Sequence, residues 1–215
     1  MESIFIIIRA EVNDMNSLTI PFEEGLALPE QAAGRIHHFL WLDNGYRPET
    51  VFSLVYNREG LRVHLAAAEP SLTVQTDRDN GPVWEDNCLE FFFAPFDDEA
   101  DYINFECNPL GAMIIEKGAA RAPRTLLTGQ LKPLLGLSTR IQPGVGWAVD
   151  YTIPFRAIAE IYGRPFRPMA GGTFRFNAYC CGDHTAFPHF GAWSPVLLPE
   201  PDFHQSAFFG RGVWG

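Results

Sequence analysis

The fold is decided by residues 88–93, which read Cys88-Leu89-Glu90-Phe91-Phe92-Phe93. Successive side chains of a β-strand point to opposite faces of the sheet. Leu89, Phe91 and Phe93 therefore share one face, while Glu90 lies on the other with its even-numbered neighbours. A fully apolar face that alternates with a face carrying a carboxylate predicts a strand with one side in the core.

Two other segments alternate in the same way. The apolar set of residues 102–108 is Ile103, Phe105 and Cys107, and residues 173–180 carry an apolar set at every even position. If the three strands pair, their second faces form one surface rich in Asn and Tyr, which make directional hydrogen bonds. We therefore predict a ligand-binding face rather than a solvated one. Its members would be Glu90, Asn104, Glu106, Asn108, Arg175, Asn177 and Tyr179.

The rest of the chain repeats short apolar runs bounded by Gly, Pro, Asn or Asp, which is typical of an all-β sandwich or barrel. Strands are predicted at 50–56, 61–67, 71–76, 88–94, 102–108, 112–116, 137–142, 147–153 and 173–180. Pro154 suits the first position of a helix over 154–162, and 118–133 is expected to be a long loop with a turn or two of helix. We predict one domain over 1–215, a β-sandwich of jelly-roll or immunoglobulin-like type with one short helix.

Charge and composition exclude several classes of function. Twenty-six acidic and sixteen basic residues give a net charge of −10, which argues against nucleic acid or an anionic membrane as the partner. An apolar stretch long enough to span a membrane is not found. The apolar residues 4–8 are too few for a signal peptide, so a cytoplasmic location is expected. The four cysteines lack CxxC spacing and are interpreted as buried free thiols rather than a zinc site.

Five motifs, in order, resemble carbohydrate-binding module family 9. The segment Val83-Trp84-Glu85-Asp86-Asn87-Cys88-Leu89-Glu90-Phe91-Phe92 resembles the family's "W-E-x-D-x-x-E-x-F" signature. Four further segments of this chain resemble later motifs of the family. They are 102–108 with Gly111, 151–155, Phe174-Arg175-Phe176-Asn177, and Trp193-Ser194-Pro195 followed by Phe209-Gly210. The resemblance covers about residues 35–213. It implies a β-sandwich that binds sugars as an accessory module of xylan-degrading enzymes, with no cofactor.

The resemblance also implies roles for individual residues. In the family, two tryptophans clamp the sugar between them, and polar side chains hold its hydroxyl groups. Trp84 matches the first clamp tryptophan, Glu90 matches a carboxylate that accepts sugar hydroxyls, and Tyr179 stands where the family has an amide. This chain departs at Phe203, which replaces the second tryptophan, and at Glu106, which replaces an arginine. A clamp with one tryptophan and an added carboxylate would stack on and hydrogen-bond to a sugar differently, so the sequence does not identify which sugar is bound.

Alternatives of other classes stay open at this point. Glu90 and Glu106 would suit the acid and base of a glycoside hydrolase, and an interaction domain without a small ligand is a third possibility. Relatives of the family suggest a structural calcium ion at Asp97, Asp98 and Asp101, although a solvated hairpin tip is favoured. His184, His189 and His204 lie in one stretch, for which loop hydrogen bonding is favoured over a metal site. Haem ligation by Met113, as in related DOMON domains, is the weakest alternative, and the tryptophans other than Trp84 are interpreted as core.

Overall fold

The computed structural model describes residues 16–29 and 33–215. The apolar residues 4–8 lie outside the described residues. Within the described ranges the strands are β1 (Ser17–Ile20), β2 (Gly34–Ile36), β3 (His38–Phe39), β4 (Thr50–Tyr56), β5 (Gly60–Ala67), β6 (Cys88–Ala94), β7 (Tyr102–Cys107), β8 (Met113–Gly118), β9 (Thr125–Leu126), β10 (Ser138–Gln142), β11 (Gly146–Pro154), β12 (Thr173–Gly182), β13 (His189–Ala192) and β14 (Gly210–Trp214). The α-helices are α1 (Thr128–Leu131) and α2 (Phe155–Tyr162).

The strands form two sheets that pack face to face. The larger sheet has the order β1-β14-β12-β6-β7-β8-β9, with β13 paired to β12 and β3 paired to β13, and the smaller has the order β10-β11-β5-β4-β2. Aromatic side chains meet between them, as Phe52 of β4 does with Phe176 of β12 at a ring distance of 6.0 Å. The all-β sandwich predicted from alternation is confirmed.

Helix α2 begins after Pro154 and ends at Gly163, which takes the left-handed conformation (φ 64°) that favours glycine. Its apolar residues Phe155 and Ile158 are buried in the main core. Helix α1 spans only four residues inside the segment predicted as a loop. No helix in residues 16–29 and 33–215 has the length and apolar character needed to cross a membrane.

One predicted strand, 71–76, is wrong. Its backbone bonds side chains rather than a neighbouring strand: the Thr73 amide donates to Asn87 Oδ1 at 2.6 Å, and the Gln75 and Thr76 amides donate to the Asp86 carboxylate at 2.8 and 3.0 Å. Asp86 and Asn87 are almost fully buried. These two residues therefore anchor an irregular loop that satisfies its polar groups without a sheet.

Candidate functional site

The site is built on the second face of the larger sheet, where strand register places polar residues in a row. Glu90 of β6 lies directly opposite Glu106 of β7 and, on its other side, opposite Tyr179 of β12. Glu106 in turn faces Ile114 of β8. Alternation predicted that these residues share a face, and the register brings them together across four adjacent strands.

This face is covered rather than open, which corrects the expectation of an outward-facing surface. Tyr179 and Asn177 are fully buried, and Glu90 and Glu106 are only 2% and 4% exposed. Phe203 stacks on the Tyr179 ring at 4.0 Å, and its carbonyl oxygen accepts a hydrogen bond from the Tyr179 hydroxyl. The apolar members of the face, such as Phe92, thus form a second small core beneath the C-terminal segment.

A pocket of about 360 Å³ remains at one end of the covered face. Apolar and aromatic residues on its walls alternate with titratable side chains. It is lined by Trp41, Trp84, Glu90, Glu106, Ile114, Glu116, Arg121, Cys181, Asp183, Phe190, Pro201, Asp202, Phe203 and His204. Wider depressions of about 650 and 730 Å³ lie at α2 and beside β10, but their carboxylates, Glu59 and Glu49, are exposed. Of these three depressions in the described part of the chain, the 360 Å³ pocket is the one on which buried polar groups converge.

Two tryptophans stand on the walls of this pocket. Trp84 lies in a 3-10 turn, Val83–Glu85, directly before β6, and is 38% exposed. The amide of Asp183 donates to the Trp84 carbonyl at 3.1 Å and ties this turn to the loop after β12. Trp41 follows β3 in a left-handed conformation (φ 62°), and its indole N–H donates to the Leu198 carbonyl at 2.7 Å. The interpretation of Trp41 as a core residue is corrected, since it is half-buried and lines the pocket.

Burial makes the two carboxyl groups at the base of the pocket harder to ionise than free carboxyl groups. Burial raises the pKa of Glu90 well above its usual range, and repulsion from Glu106 adds to this effect. Burial also raises the pKa of Glu106 to about 7, although the Asn104 amide donates to its Oε1 at 2.9 Å. The Cys181 thiol donates to Glu90 Oε1 at 3.0 Å. A protonated carboxyl group can donate a hydrogen bond to a ligand, and an ionised carboxylate can accept hydrogen bonds from it.

The opposite wall is a turn held by Asp202. Its carboxylate accepts hydrogen bonds from the His204 amide at 2.9 Å and from Gln205 at 2.6 Å, and these bonds lower the pKa of Asp202 against the effect of burial. Arg121 approaches the same carboxylate at 3.3 Å. Burial, assisted by nearby Arg124 and Arg121, lowers the pKa of His204 to about 3, so the imidazole is neutral. The Tyr102 hydroxyl can then donate to its Nδ1 at 2.8 Å.

Comparison with known proteins identifies the family. A sequence model of carbohydrate-binding family 9 matches residues 23–212. The chain belongs to this family. No curated protein sequence gave a significant match.

Three solved structures share the architecture of this chain. A crystal structure from Bacteroides uniformis, described as a candidate carbohydrate-binding protein, is 27% identical with a TM-score of 0.79, and the alignment covers 94% of this chain and all of that one. A family 9 module from Caldicellulosiruptor kristjanssonii in complex with cellotriose is 11% identical with a TM-score of 0.62, over 93% of each chain. A family 9 module from the same organism in complex with glucose is 12% identical with a TM-score of 0.63, and the alignment covers 93% of this chain and 96% of that one.

Within this family 9 chain, four of the predicted ligand residues line the pocket: Trp84, Glu90, Glu106 and Phe203. The other five are held in internal contacts and do not line it; Asn108 donates to the Thr76 carbonyl and to Asp86 Oδ2. Asn104 accepts hydrogen bonds from Arg124 and orients Glu106, and Asn177 bonds the backbone of Ser194. Arg175 donates to the Ser206 carbonyl, while Tyr179 supports Phe203. These contacts hold the five side chains outside the lining of the cavity.

The acidic residues predicted for calcium lie in separate ion pairs. Asp97 accepts a hydrogen bond from Thr173 and approaches Arg175, Asp98 pairs with Arg164, and Asp101 pairs with Lys117 at 3.1 Å. In the described ranges they do not form a cluster of three ligand atoms within 4.8 Å of one another. A calcium site at these residues stays a prediction, and the carboxylate oxygens of the three residues do not point to one common position.

Sequence reasoning missed the pocket residues outside the three alternating strands. Trp41, Arg121, Asp183 and Asp202 come from loops, and Glu116 comes from β8, outside those three strands. Their signal was weak because a loop side chain has no periodicity that fixes its direction. Only the two neighbours of Phe203 in the chain, Asp202 and His204, could have been inferred, since a tight turn keeps consecutive side chains near one cavity.

Proposed function

We propose that this family 9 chain binds a carbohydrate in the 360 Å³ pocket. The observation that carries the proposal is a half-exposed indole, Trp84, beside two buried carboxyl groups, Glu90 and Glu106, in one cavity. The C–H faces of sugar rings are apolar and stack on aromatic rings, while their hydroxyl groups require paired donors and acceptors. A pocket with both elements matches that amphipathic chemistry.

Family membership and the structural relatives support the same ligand class. The Caldicellulosiruptor module binds cellotriose and glucose, which are a β-glucan fragment and its monomer unit. We infer that the present pocket accepts a mono- or oligosaccharide. Recognition of such fragments during glycan breakdown is part of the proposal, and it is tested by whether fragments of cellulose or xylan bind more tightly than unrelated sugars.

The experiment is a titration of glucose, xylose, cellobiose and xylobiose, followed by tryptophan fluorescence. Stacking contributes about 1–3 kcal/mol by analogy with aromatic stacking on bases, so Trp84→Ala should weaken binding about 5- to 150-fold. Phe22→Ala is the matched control, because Phe22 is 41% exposed and does not line the pocket. If Trp84→Ala binds a sugar as tightly as the wild type does, the site is not at Trp84.

A glycoside hydrolase is the second candidate, and the register of Glu90 opposite Glu106 favours it. Directly opposed residues have Cβ atoms about 4.5–5.5 Å apart, so their carboxyl groups can reach the separation of about 5–5.5 Å that retaining hydrolases use. Turnover of p-nitrophenyl glycosides by the wild type, abolished in Glu90→Gln and Glu106→Gln, would establish catalysis. Saturable sugar binding without turnover would leave binding alone.

A further inference from the structure

Three potential metal ligands meet in the interior, away from the pocket. His189 Nε2 lies 3.2 Å from Glu69 Oε1 and 3.4 Å from Cys180 Sγ. The three ligand atoms all lie within 4.8 Å of one another, and all three residues are buried. None of them lines the carbohydrate pocket. This cluster, Glu69–Cys180–His189, needs its own explanation.

The strand register places these residues together. His189 of β13 lies opposite Gly182 of β12, and Cys180 lies two residues before Gly182 on the same face of that strand. A Cβ atom at position 182 would stand only 3.1 Å from His189 Cε1. Glycine therefore leaves the imidazole room to reach across β12 towards Cys180. Glu69 approaches from the turn that follows β5 of the other sheet.

Surrounding groups fix the orientation of the ligands. The Phe187 carbonyl lies 2.8 Å from His189 Nδ1, and a carbonyl can only accept, so Nδ1 carries the proton. Nε2 is then the nitrogen that faces the cluster. The indole N–H of Trp147 donates to Glu69 Oε2 at 2.8 Å, and the Asn87 amide donates to Oε1 at 2.6 Å. A histidine anchored through its other nitrogen and a carboxylate anchored by donors are the usual outer partners of metal ligands.

Two of the three ligand separations match those of a tetrahedral zinc ion, and the third is below 4.8 Å. Zinc bonds of about 2.0–2.1 Å to N, 2.3 Å to S and 2.0–2.2 Å to O, at tetrahedral angles, separate N from S by about 3.6 Å and N from O by about 3.4 Å. The observed separations are 3.4 and 3.2 Å. The ligand charges also fit, because a thiolate, a carboxylate and a neutral imidazole cancel the two charges of Zn²⁺. A neutral set avoids the large penalty for a buried net charge.

We propose that Glu69, Cys180 and His189 bind one zinc ion, with water as the fourth ligand. The ion would link the turn after β5 to β12 and β13 and so join the two sheets of the sandwich. Three protein ligands leave the fourth position open to water, and the site is independent of the proposed sugar site. The sequence shows neither CxxC nor HxxH spacing that would predict this zinc site, because its ligands come from three separate elements.

The test uses the full chain, freed of metal with a chelator and then given zinc sulfate or cobalt chloride. One zinc per chain should remain after desalting, and the cobalt form should show a thiolate-to-cobalt charge-transfer band with the visible bands of tetrahedral cobalt. His189→Gln and Cys180→Ser should each lose the stoichiometric metal. Zinc should raise the melting temperature of the wild type and leave that of His189→Gln unchanged.

Cys181→Ser is the matched control. Cys181 is the next residue along β12 and belongs, with Cys88 and Glu90, to a second buried group of possible ligands on the other face. The variant should keep its zinc. Loss of zinc in Cys181→Ser with retention in His189→Gln would overturn the proposal and assign the metal to that second group. Failure of the wild type to retain zinc, or a cobalt form without a thiolate band, would overturn it even if the variants do not fold.

Discussion

Replacing Glu106 by glutamine should stabilise the protein at alkaline pH. The carboxyl group ionises near 4.5 when free, whereas burial in the folded chain raises its pKa to about 7. Between these values the folded chain binds the extra proton, so the free energy of unfolding falls as the pH rises through this window. At about 1.36 kcal/mol per pH unit, the full penalty above pH 7 is about 3 kcal/mol. Glutamine keeps the oxygen that accepts from Asn104 and carries no charge.

The assay is guanidinium denaturation of both proteins at pH 5 and pH 8, followed by tryptophan fluorescence. The stability advantage of Glu106→Gln over the wild type should be about 2 to 3 kcal/mol larger at pH 8 than at pH 5. Glu160→Gln, on the exposed side of α2, controls for the general effect of removing a negative charge. An advantage that does not change between the two pH values would refute the argument that Glu106 ionises inside a buried site.

Two further changes test the pocket wall and the packing of the larger sheet. The stability of His204→Gln relative to the wild type should be about 1–2 kcal/mol higher at pH 5 than at pH 8, because a His204 pKa held at about 3 penalises the folded wild type at a pH where a free imidazole is protonated; urea denaturation at both pH values measures this. Gly212→Ala should lower the free energy of unfolding by about 1–3 kcal/mol, because the new Cβ would lie 2.2 Å from the buried Phe174 ring. Gly129→Ala is the control, since the space around Gly129 is open and the variant should not be destabilised. Thermal melts of both variants measure the difference.

The parts of the fold that alternation predicted are those with one side in the main core. Strands β4, β6 and β11 read clearly because every second residue is a large apolar side chain packed between the sheets. Short strands such as β3, β9 and β13 have too few residues for a period to emerge. The segment 71–76 has strand-like residues, but Asp86 and Asn87, ten or more positions away, satisfy its backbone. Such non-local side-chain bonds leave no mark in a local pattern.

The candidate site was predictable in the same partial sense. Parity determines which residues share a face, and it placed Glu90 and Glu106 together correctly. It carries no information on what covers that face, which here is decided by a segment about a hundred residues away that stacks Phe203 on Tyr179. Trp41 reached the pocket through a left-handed backbone position that sequence patterns do not reveal.

The energetics of the pocket argue that it was shaped for a ligand rather than for stability. A sheet face that only had to be covered would be more stable with apolar residues at positions 90 and 106, because burying opposed carboxyl groups costs free energy at neutral pH. For Glu106 alone that cost is about 3 kcal/mol, a large fraction of the 5–15 kcal/mol that stabilises a typical domain. The carboxyl groups nevertheless lie at the base of a cavity beside Trp84, where hydrogen bonds from a bound molecule would offset their burial. Buried groups that lower the stability of an otherwise well-packed core are expected where a protein binds a ligand.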